Sequence, residues 1–584
     1  MAKSIRLLLF GLLAALYCCI VPATNCESGA VLQIDGREFK EVKPARHSAI
    51  FSPTQAEKAR GFSVFQTEEP TAITEGFVPD NSELVHSFHL FAAPGQYEPI
   101  VFGIYALRPL KRLEISISNF EGPSGAVIDK SAVDLRLGRY IIQRTGYTEL
   151  QYHIVPKLLE KNHSVEVMPE RPQLCWITLH VPDNSPSGRY RTCIHVQGDG
   201  APVLIPVELR VLPFELARGK PWMLYYYESD PADAELHFRD MREHGMTSVI
   251  LAQVNAPLQK KDDNLAAVDF AGSDAFVEAY RKAGFTDPLI YNPFHDRLAT
   301  RLLEVFGLAD RYPREIAYGE NICIFKEQEY PAFLRETYKQ VVNDIIQHAR
   351  KTDWPPTLLY LVDEPNNVDS WRMTAARMEY RLAKEALPSV RTFCTVYSIP
   401  AMENLDPFLD ARACTMDYLG QGEVLQSKLK KYLKNAGGEI WGIDWPAMWD
   451  DFWRARELGG FLPAKLGLKA MTAWTYYKPR QLADEYGDLR GESKQCLLVY
   501  KDSRGELAPT VTWEGLRAGI TDWRYVITLE EALAKSDGAK RERGMQALNE
   551  ILSEVPWLNG KRTTWTNNKA RELRRRIADT ILSL

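Results

Sequence analysis

Through the first 216 residues apolar positions recur at every second residue. Leu113, Ile115 and Ile117 alternate with polar neighbours, and so do Ile205, Val207, Leu209 and Val211. That period turns one face of a strand into a core. Between them, Cys175-Trp176-Ile177-Thr178-Leu179 runs into Pro182-Asp183-Asn184-Ser185-Pro186-Ser187-Gly188 and then Tyr190 to Val196. Proline and glycine supply turn geometry that strands do not hold, so the stretch reads as a hairpin. An antiparallel β-sandwich over residues 24–216 is the simplest architecture.

After Pro213-Phe214 the pattern changes to short apolar runs separated by helical periods. Trp222 to Tyr227 reads as a strand, Ala234, Phe238 and Met241 fall at helical spacing, and Gly245 ends that helix. Further strands are expected at Thr247 to Gln253, Leu289 to Tyr291, Leu358 to Val362, Thr392 to Val396, Cys414 to Tyr418, Ile440 to Ile443 and Ala470 to Tyr476. One intervening helix places Leu334, Tyr338, Val341, Ile345 and Ala349 on a single face. Eight strands alternating with helices imply a (β/α)8 barrel of the TIM type, here over residues 217–530, with C-terminal helices over 531–584. A doubly wound open sheet is the alternative, but no glycine-rich first turn supports it.

A length of 584 residues, with 45% apolar and 25% charged residues, suits a multidomain globular protein. The formal net charge of −5 gives no reason to expect a nucleic-acid partner or a membrane-binding surface. The cluster Arg571, Arg574, Arg575 and Arg576 reads as a solvated helix face. At the N-terminus, Lys3 and Arg6 precede an apolar run from Leu7 to Val21, and Val21-Pro22-Ala23 offers a cleavage site. Residues 1–23 therefore read as a signal peptide, with secreted or periplasmic localisation expected and surface anchoring left open. The run is shorter than the roughly 20 residues a spanning helix needs, so stable membrane insertion is not expected. Of nine cysteines, Cys18 and Cys19 lie in this leader, leaving an odd, widely spaced set that does not describe a disulfide framework. Cys175 and Cys193 flank the expected hairpin, and their pairing is left open. No zinc-ligand spacing, HExxH, GxSxG, P-loop or GxGxxG is present, so neither a metal nor a cofactor is expected.

The chemistry concentrates at the fourth barrel strand. Leu358-Leu359-Tyr360-Leu361-Val362 ends at once in Asp363-Glu364-Pro365-Asn366, and barrel active sites lie at the C-terminal ends of strands. Successive strand residues face opposite ways, so both acids reach one pocket only if the strand ends or bends between them. Pro365 makes a bend plausible. Two adjacent carboxyls repel, which raises one pKa and leaves a proton donor beside an ionised partner. Glycosidic cleavage uses such a pair. A solvated turn or helix N-cap also favours Asp and Glu, and only the position at the strand end speaks for chemistry. Other strand ends carry groups suited to a sugar: His295 past the third, Tyr397 at the fifth, Asp417 and Tyr418 at the sixth, Asp444 and Trp445 at the seventh, Trp474 and Tyr476 at the eighth. Flat rings fit the C–H face of a sugar, and its hydroxyls need polar partners. A carbohydrate is therefore the expected partner, with Trp474 the strongest single platform.

Three stretches resemble glycoside hydrolase family 123: Tyr360-Leu361-Val362-Asp363-Glu364-Pro365, Gly467-Leu468-Lys469-Ala470-Met471-Thr472-Ala473-Trp474, and the run from Pro509 through Trp513-Glu514-Gly515-Leu516-Arg517 to Asp522-Trp523-Arg524-Tyr525. The third is similar to the helix that follows the family's barrel, and its acids and Arg517 are read as bonding locally. The resemblance implies a β-N-acetylgalactosaminidase using substrate assistance, with Glu364 as general acid/base and Asp363 orienting the 2-acetamido group. Two other readings stay open: a two-carboxylate retaining glycosidase with Asp444 at the right end of the seventh strand (Glu439 is at the wrong end), and a non-catalytic glycan-binding protein built on the same barrel.

Overall fold

The computed structural model describes residues 28–43, 50–227, 230–252, 254, 256–294, 298–317, 320–449, 451–477, 486–491, 493–502, 504–558 and 565–584. The expected signal peptide, residues 1–23, and His295 lie outside the described residues. The chain divides into two compact units, one of Met1–Arg218, Pro446–Phe461 and Gln481–Leu584, the other of Gly219–Trp445 and Leu462–Arg480.

The first unit holds two large sheets among the described residues. One contains, in spatial order, Ser28–Ile34, Arg37–Val42, Gln151–Glu160, Val133–Arg144, Gln173–His180, Tyr97–Ala106 and Phe62–Phe65; the other is built around Leu110–Ile117, Gly188–Gln197 and Val203–Val211. The alternation at Leu113, Ile115 and Ile117 is that of a strand with these residues buried. Pairing is mainly antiparallel, but Val203–Val211 runs parallel to Phe88–Ala92, and Gln151–Glu160 parallel to Arg37–Val42. The expected hairpin does not form: Gln173–His180 and Gly188–Gln197 are consecutive strands of different sheets. The physical reason is burial on both faces of Gln173–His180. Cys175 and Ile177 join the core shared with Ile194 and Val207 of the other sheet, while Leu174 and Trp176 pack the opposite way, against Phe452 and Val511. Cys175 and Cys193 carry free thiols.

That second face explains why the C-terminal helices group with the N-terminal sheets. Helix Val511–Lys535 starts at Thr510, whose hydroxyl caps the amide of Trp513 at 3.1 Å. It packs closely on helix Phe452–Gly459, because a Cβ on Gly519 would come within 2.3 Å of the Arg456 carbonyl. Arg517 pairs locally with Glu514, as expected, but Asp522 reaches far along the chain, to Arg456 at 2.7 Å and to Arg574 at 2.5 Å. Arg574 is thus not on a solvated face. It is 3% exposed, and its second partner is Glu98 at 2.8 Å.

The second unit is a closed barrel of eight parallel strands: Trp222–Tyr226, Ser248–Ala252, Leu289–Asn292, Thr357–Tyr360, Arg391–Thr395, Ala411–Thr415, Glu439–Asp444 and Met471–Ala473. The first closes on the eighth through Leu224 and Ala473. Most of these strands are buried on both faces, as parallel sheets require. Met223, Tyr225, Leu358, Tyr360, Phe393 and Trp441 are among the residues filling the interior. Gly245 (φ 90°) closes helix Ala234–Glu243 in the left-handed region that glycine adopts freely. The sixth strand begins earlier than expected and ends at Thr415, so Asp417 and Tyr418 lie on the helical turn Met416–Leu419.

Candidate active site

The fourth strand stops at Tyr360, three residues before the acids. The chain turns at Glu364 itself, which has φ 48°, rather than at Pro365. A non-glycine residue in this region costs roughly 1 kcal/mol or more and persists only where its surroundings hold it. Three contacts hold it here. The Glu364 amide donates to Thr395 Oγ1 at 3.2 Å, the Asn366 amide to the Glu364 carbonyl at 2.8 Å, and Arg372 Nη1 to the Asp363 carbonyl at 3.1 Å. Both acids are half-buried.

Hydroxyls orient each carboxyl. Asp363 Oδ1 accepts from Tyr360 and, at 2.5 Å, from Thr395 Oγ1. Tyr360 in turn accepts from Tyr225 at 3.3 Å. Among the described residues none donates to Asp363 Oδ2, so that oxygen is the one left for a ligand. Glu364 Oε1 accepts from the Tyr397 hydroxyl, and the Tyr397 amide is held by Asn366 Oδ1 at 2.8 Å. Burial, reinforced by the charges of Glu364 and Asp363, pushes the Tyr397 phenol well above its ordinary value. Burial does the same to Tyr225, with Asp363 adding to it. Both phenols therefore stay protonated and act as neutral donors at any ordinary pH.

Strand parity sorts the remaining candidates. Tyr397 and Trp474 are half-buried and pack on the interior cluster, with Tyr227 beside them. Trp474 Nε1 donates to Tyr227 Oη at 3.1 Å. Trp445 follows Trp441 and Ile443 at the same parity, and its ring meets Tyr397 edge-on at 6.0 Å. Asp444, one residue out of step, is turned from the interior by the alternation of the strand and is 2% exposed. Tyr476 is not at the mouth: it is fully buried, donates to Asp240 at 2.8 Å and packs near Tyr226 and His237 in the helix layer. Tyr418 accepts from the Ile399 amide at 3.3 Å, and Asp417 is half-buried beside it. Sequence reading missed Tyr225, Tyr227, Tyr360 and Thr395. Their signal was present: hydroxyl-bearing residues at the interior parity of the first, fourth and fifth strands.

Residues 101–198 match the glycoside hydrolase 123 N-terminal domain. Among solved structures, the chain is similar to a family 123 glycoside hydrolase from Clostridium perfringens, a structure described for glycolipid glycan hydrolysis, with 12% identity over 90% of this chain and 97% of that one and a TM-score of 0.63. A family 39 glycoside hydrolase from the gut symbiont Bacteroides cellulosilyticus WH2 is similar over 67% of this chain and 78% of that one at 12% identity, with a lower TM-score of 0.37. No match was found among curated proteins. The resemblance to glycoside hydrolase family 123 therefore holds both in the sequence of the N-terminal domain and in the fold of the chain, and glycoside hydrolase is the enzyme class they support.

Proposed function

We propose that this chain is a retaining β-N-acetylhexosaminidase, favouring galactosaminides, in which the substrate's own acetamido oxygen is the nucleophile. The carrying observation is the division of labour between the two acids. Asp363 has one oxygen fixed by Tyr360 and Thr395 and the other unclaimed among the described residues, while Glu364 is turned toward Tyr397 on a separate, left-handed residue. In the first step the acetamido oxygen attacks the anomeric carbon, the glycosidic C–O bond breaks, and Glu364 gives its proton to the leaving oxygen. Asp363 Oδ2 accepts the acetamido N–H, which gains positive charge as the oxazolinium ring closes, so the carboxylate favours the transition state over the ground state. In the second step Glu364 takes a proton from water, the water oxygen bonds to the anomeric carbon, and the ring reopens. Two inversions give net retention.

On this reading Trp474, Trp445 and Tyr397 present the platform and edge for the sugar ring. The two N-terminal sheets form a β-sandwich, the barrel is of the (β/α)8 type, and the leader exports the protein. Among the described residues no helix is long and apolar enough to cross a membrane. A panel of chromogenic glycosides with and without a 2-acetamido group tests the proposal. The acetamido sugars should be cleaved with retention, their counterparts should be almost inert, and a thiazoline mimic of the intermediate should inhibit. A covalent sugar adduct trapped on Asp444 or any other carboxylate would overturn it. Mass spectrometry of the protein from its host should find an N-terminus near Thr24, and an intact Met1 would refute export.

A further inference from the structure

One hydroxyl stands between the two acids. Thr395 ends the fifth barrel strand, Arg391–Thr395, and is fully buried. Phe393 pairs with Tyr360 of the fourth strand, and both fill the barrel interior. Thr395 is two residues further on, so the alternation of side chains sends it to the same interior side. Its Oγ1 has one proton and two lone pairs, and the neighbours fix the use of each. The Glu364 amide can only donate, so at 3.2 Å it takes a lone pair. An ionised Asp363 can only accept, so at 2.5 Å its Oδ1 takes the proton. The second lone pair faces the Tyr360 hydroxyl at 2.7 Å. A β-branched side chain has few rotamers, so the oxygen is held in place.

Tyr360 bonds Asp363 and Tyr397 bonds Glu364, whereas Thr395 Oγ1 bonds to each of the two residues. Its two contacts differ in kind. One fixes where the Asp363 carboxyl points. The other pins the backbone of Glu364, whose φ of 48° persists only where the surroundings hold it, and so sets where that side chain starts. Substrate assistance needs an acceptor for the acetamido N–H and a proton for the glycosidic oxygen, both placed on one sugar ring. We propose that Thr395 is a positioning residue that sets the separation of the two acids, so that one hydroxyl serves both the closing of the acetamido ring and the departure of the leaving group. This rests on the substrate-assisted roles of Asp363 and Glu364.

Leaving-group dependence separates the two contacts. A dinitrophenyl N-acetyl-β-galactosaminide loses its aglycone without a proton, while the methyl glycoside needs one. Tyr360→Phe removes a donor to Asp363 and leaves the Glu364 amide bonded. Its kcat/KM should fall about tenfold on both substrates, the scale of one hydrogen bond to a charged group. Thr395→Val keeps the shape and removes the oxygen from both acids. It should lose about tenfold on the dinitrophenyl glycoside and about a hundredfold on the methyl glycoside, because the proton donor is displaced as well. Thr395→Ala removes the same oxygen and should show the same ratio if the valine variant folds poorly. Thr395→Ser restores the hydroxyl on a less stiff side chain and should return both substrates to within about threefold of wild type. A loss of folded protein scales both substrates alike, so their ratio is blind to stability. Equal losses on the two substrates in Thr395→Val and Thr395→Ala, no loss on either, or a serine variant as impaired as the valine one, would overturn the positioning role. A wild-type enzyme that cleaves neither glycoside would overturn the roles of the acids, and that of Thr395 with them.

Discussion

Two groups of carboxylates, one buried and one half-buried, are held in opposite ways. In the first unit Asp522 is gripped by Arg456 and Arg574, and Glu98 by Arg574 and Gln96. Burial opposes the charge of Arg574, yet the adjoining Asp522 and Glu98 outweigh it and hold its pKa above the ordinary value. In the barrel, Asp363 and Glu364 are bonded by hydroxyls of Tyr360, Thr395 and Tyr397, which carry no charge. An arginine locks a carboxylate in its ionised form, because protonation would leave a buried cation without its counterion. A neutral hydroxyl fixes the geometry and still lets the proton come and go. The first arrangement builds a scaffold; the second is what acid/base chemistry needs.

The comparison breaks most visibly at the acid. Glu364→Gln keeps the shape and removes the transferable proton, so turnover should fall by roughly 10²–10⁴-fold, less on substrates with good leaving groups. Asp363→Ala should be far more damaging than Asp444→Ala, since Asp444 is turned from the interior. Near-normal activity of Glu364→Gln on every substrate would place the chemistry elsewhere. In the first unit the matching cut is Arg574→Leu, which leaves Glu98 without its charged partner and Asp522 with Arg456 as its remaining one in a buried site, and should cost about 3 kcal/mol of stability. Urea denaturation should show it, while kcat of the folded fraction stays at the wild-type value.

Smaller changes sharpen the contrast. Trp474→Ala should weaken substrate binding with thermal stability retained; a collapse in stability would make Trp474 core instead. Tyr397→Phe removes one donor to the ionised form of Glu364, so its carboxyl pKa should rise. The alkaline limb of the kcat/KM profile should then move up in pH, with a loss of up to about tenfold at the optimum. A slope rather than a step is expected at a third kind of carboxyl, Glu69 of the first unit. Burial, and then the charge of Asp451, push it up from 4.5 to about 8. The folded state therefore keeps a proton that the unfolded chain releases above 4.5. The stability this contributes is fully present below that pH and is lost as pH rises to about 8. Glu69→Gln should flatten that slope, and an unchanged slope in denaturation across this window would refute it.

What the sequence alone determined was whatever depends on period and punctuation. Leu113, Ile115 and Ile117 announce a half-buried strand because side chains alternate every two residues, whatever the partner. Leu358 to Val362 running straight into Asp363-Glu364 announces a barrel-strand end because an apolar run has to stop where water begins. Partnership and direction were decided only in three dimensions. Gln173–His180 and Gly188–Gln197 look like a hairpin, but a strand buried on both faces goes where two cores need it, not where the turn points. Tyr476 and Trp474 stand two residues apart, yet once the eighth strand ends at Ala473 the parity rule lapses, and one ring faces the pocket while the other faces helix Ala234–Glu243. Asp522 and Arg574 lie 52 residues apart in the chain. No local pattern pairs them; only helices folded onto one sheet bring them within 2.5 Å, where the loss of water makes the pairing compulsory.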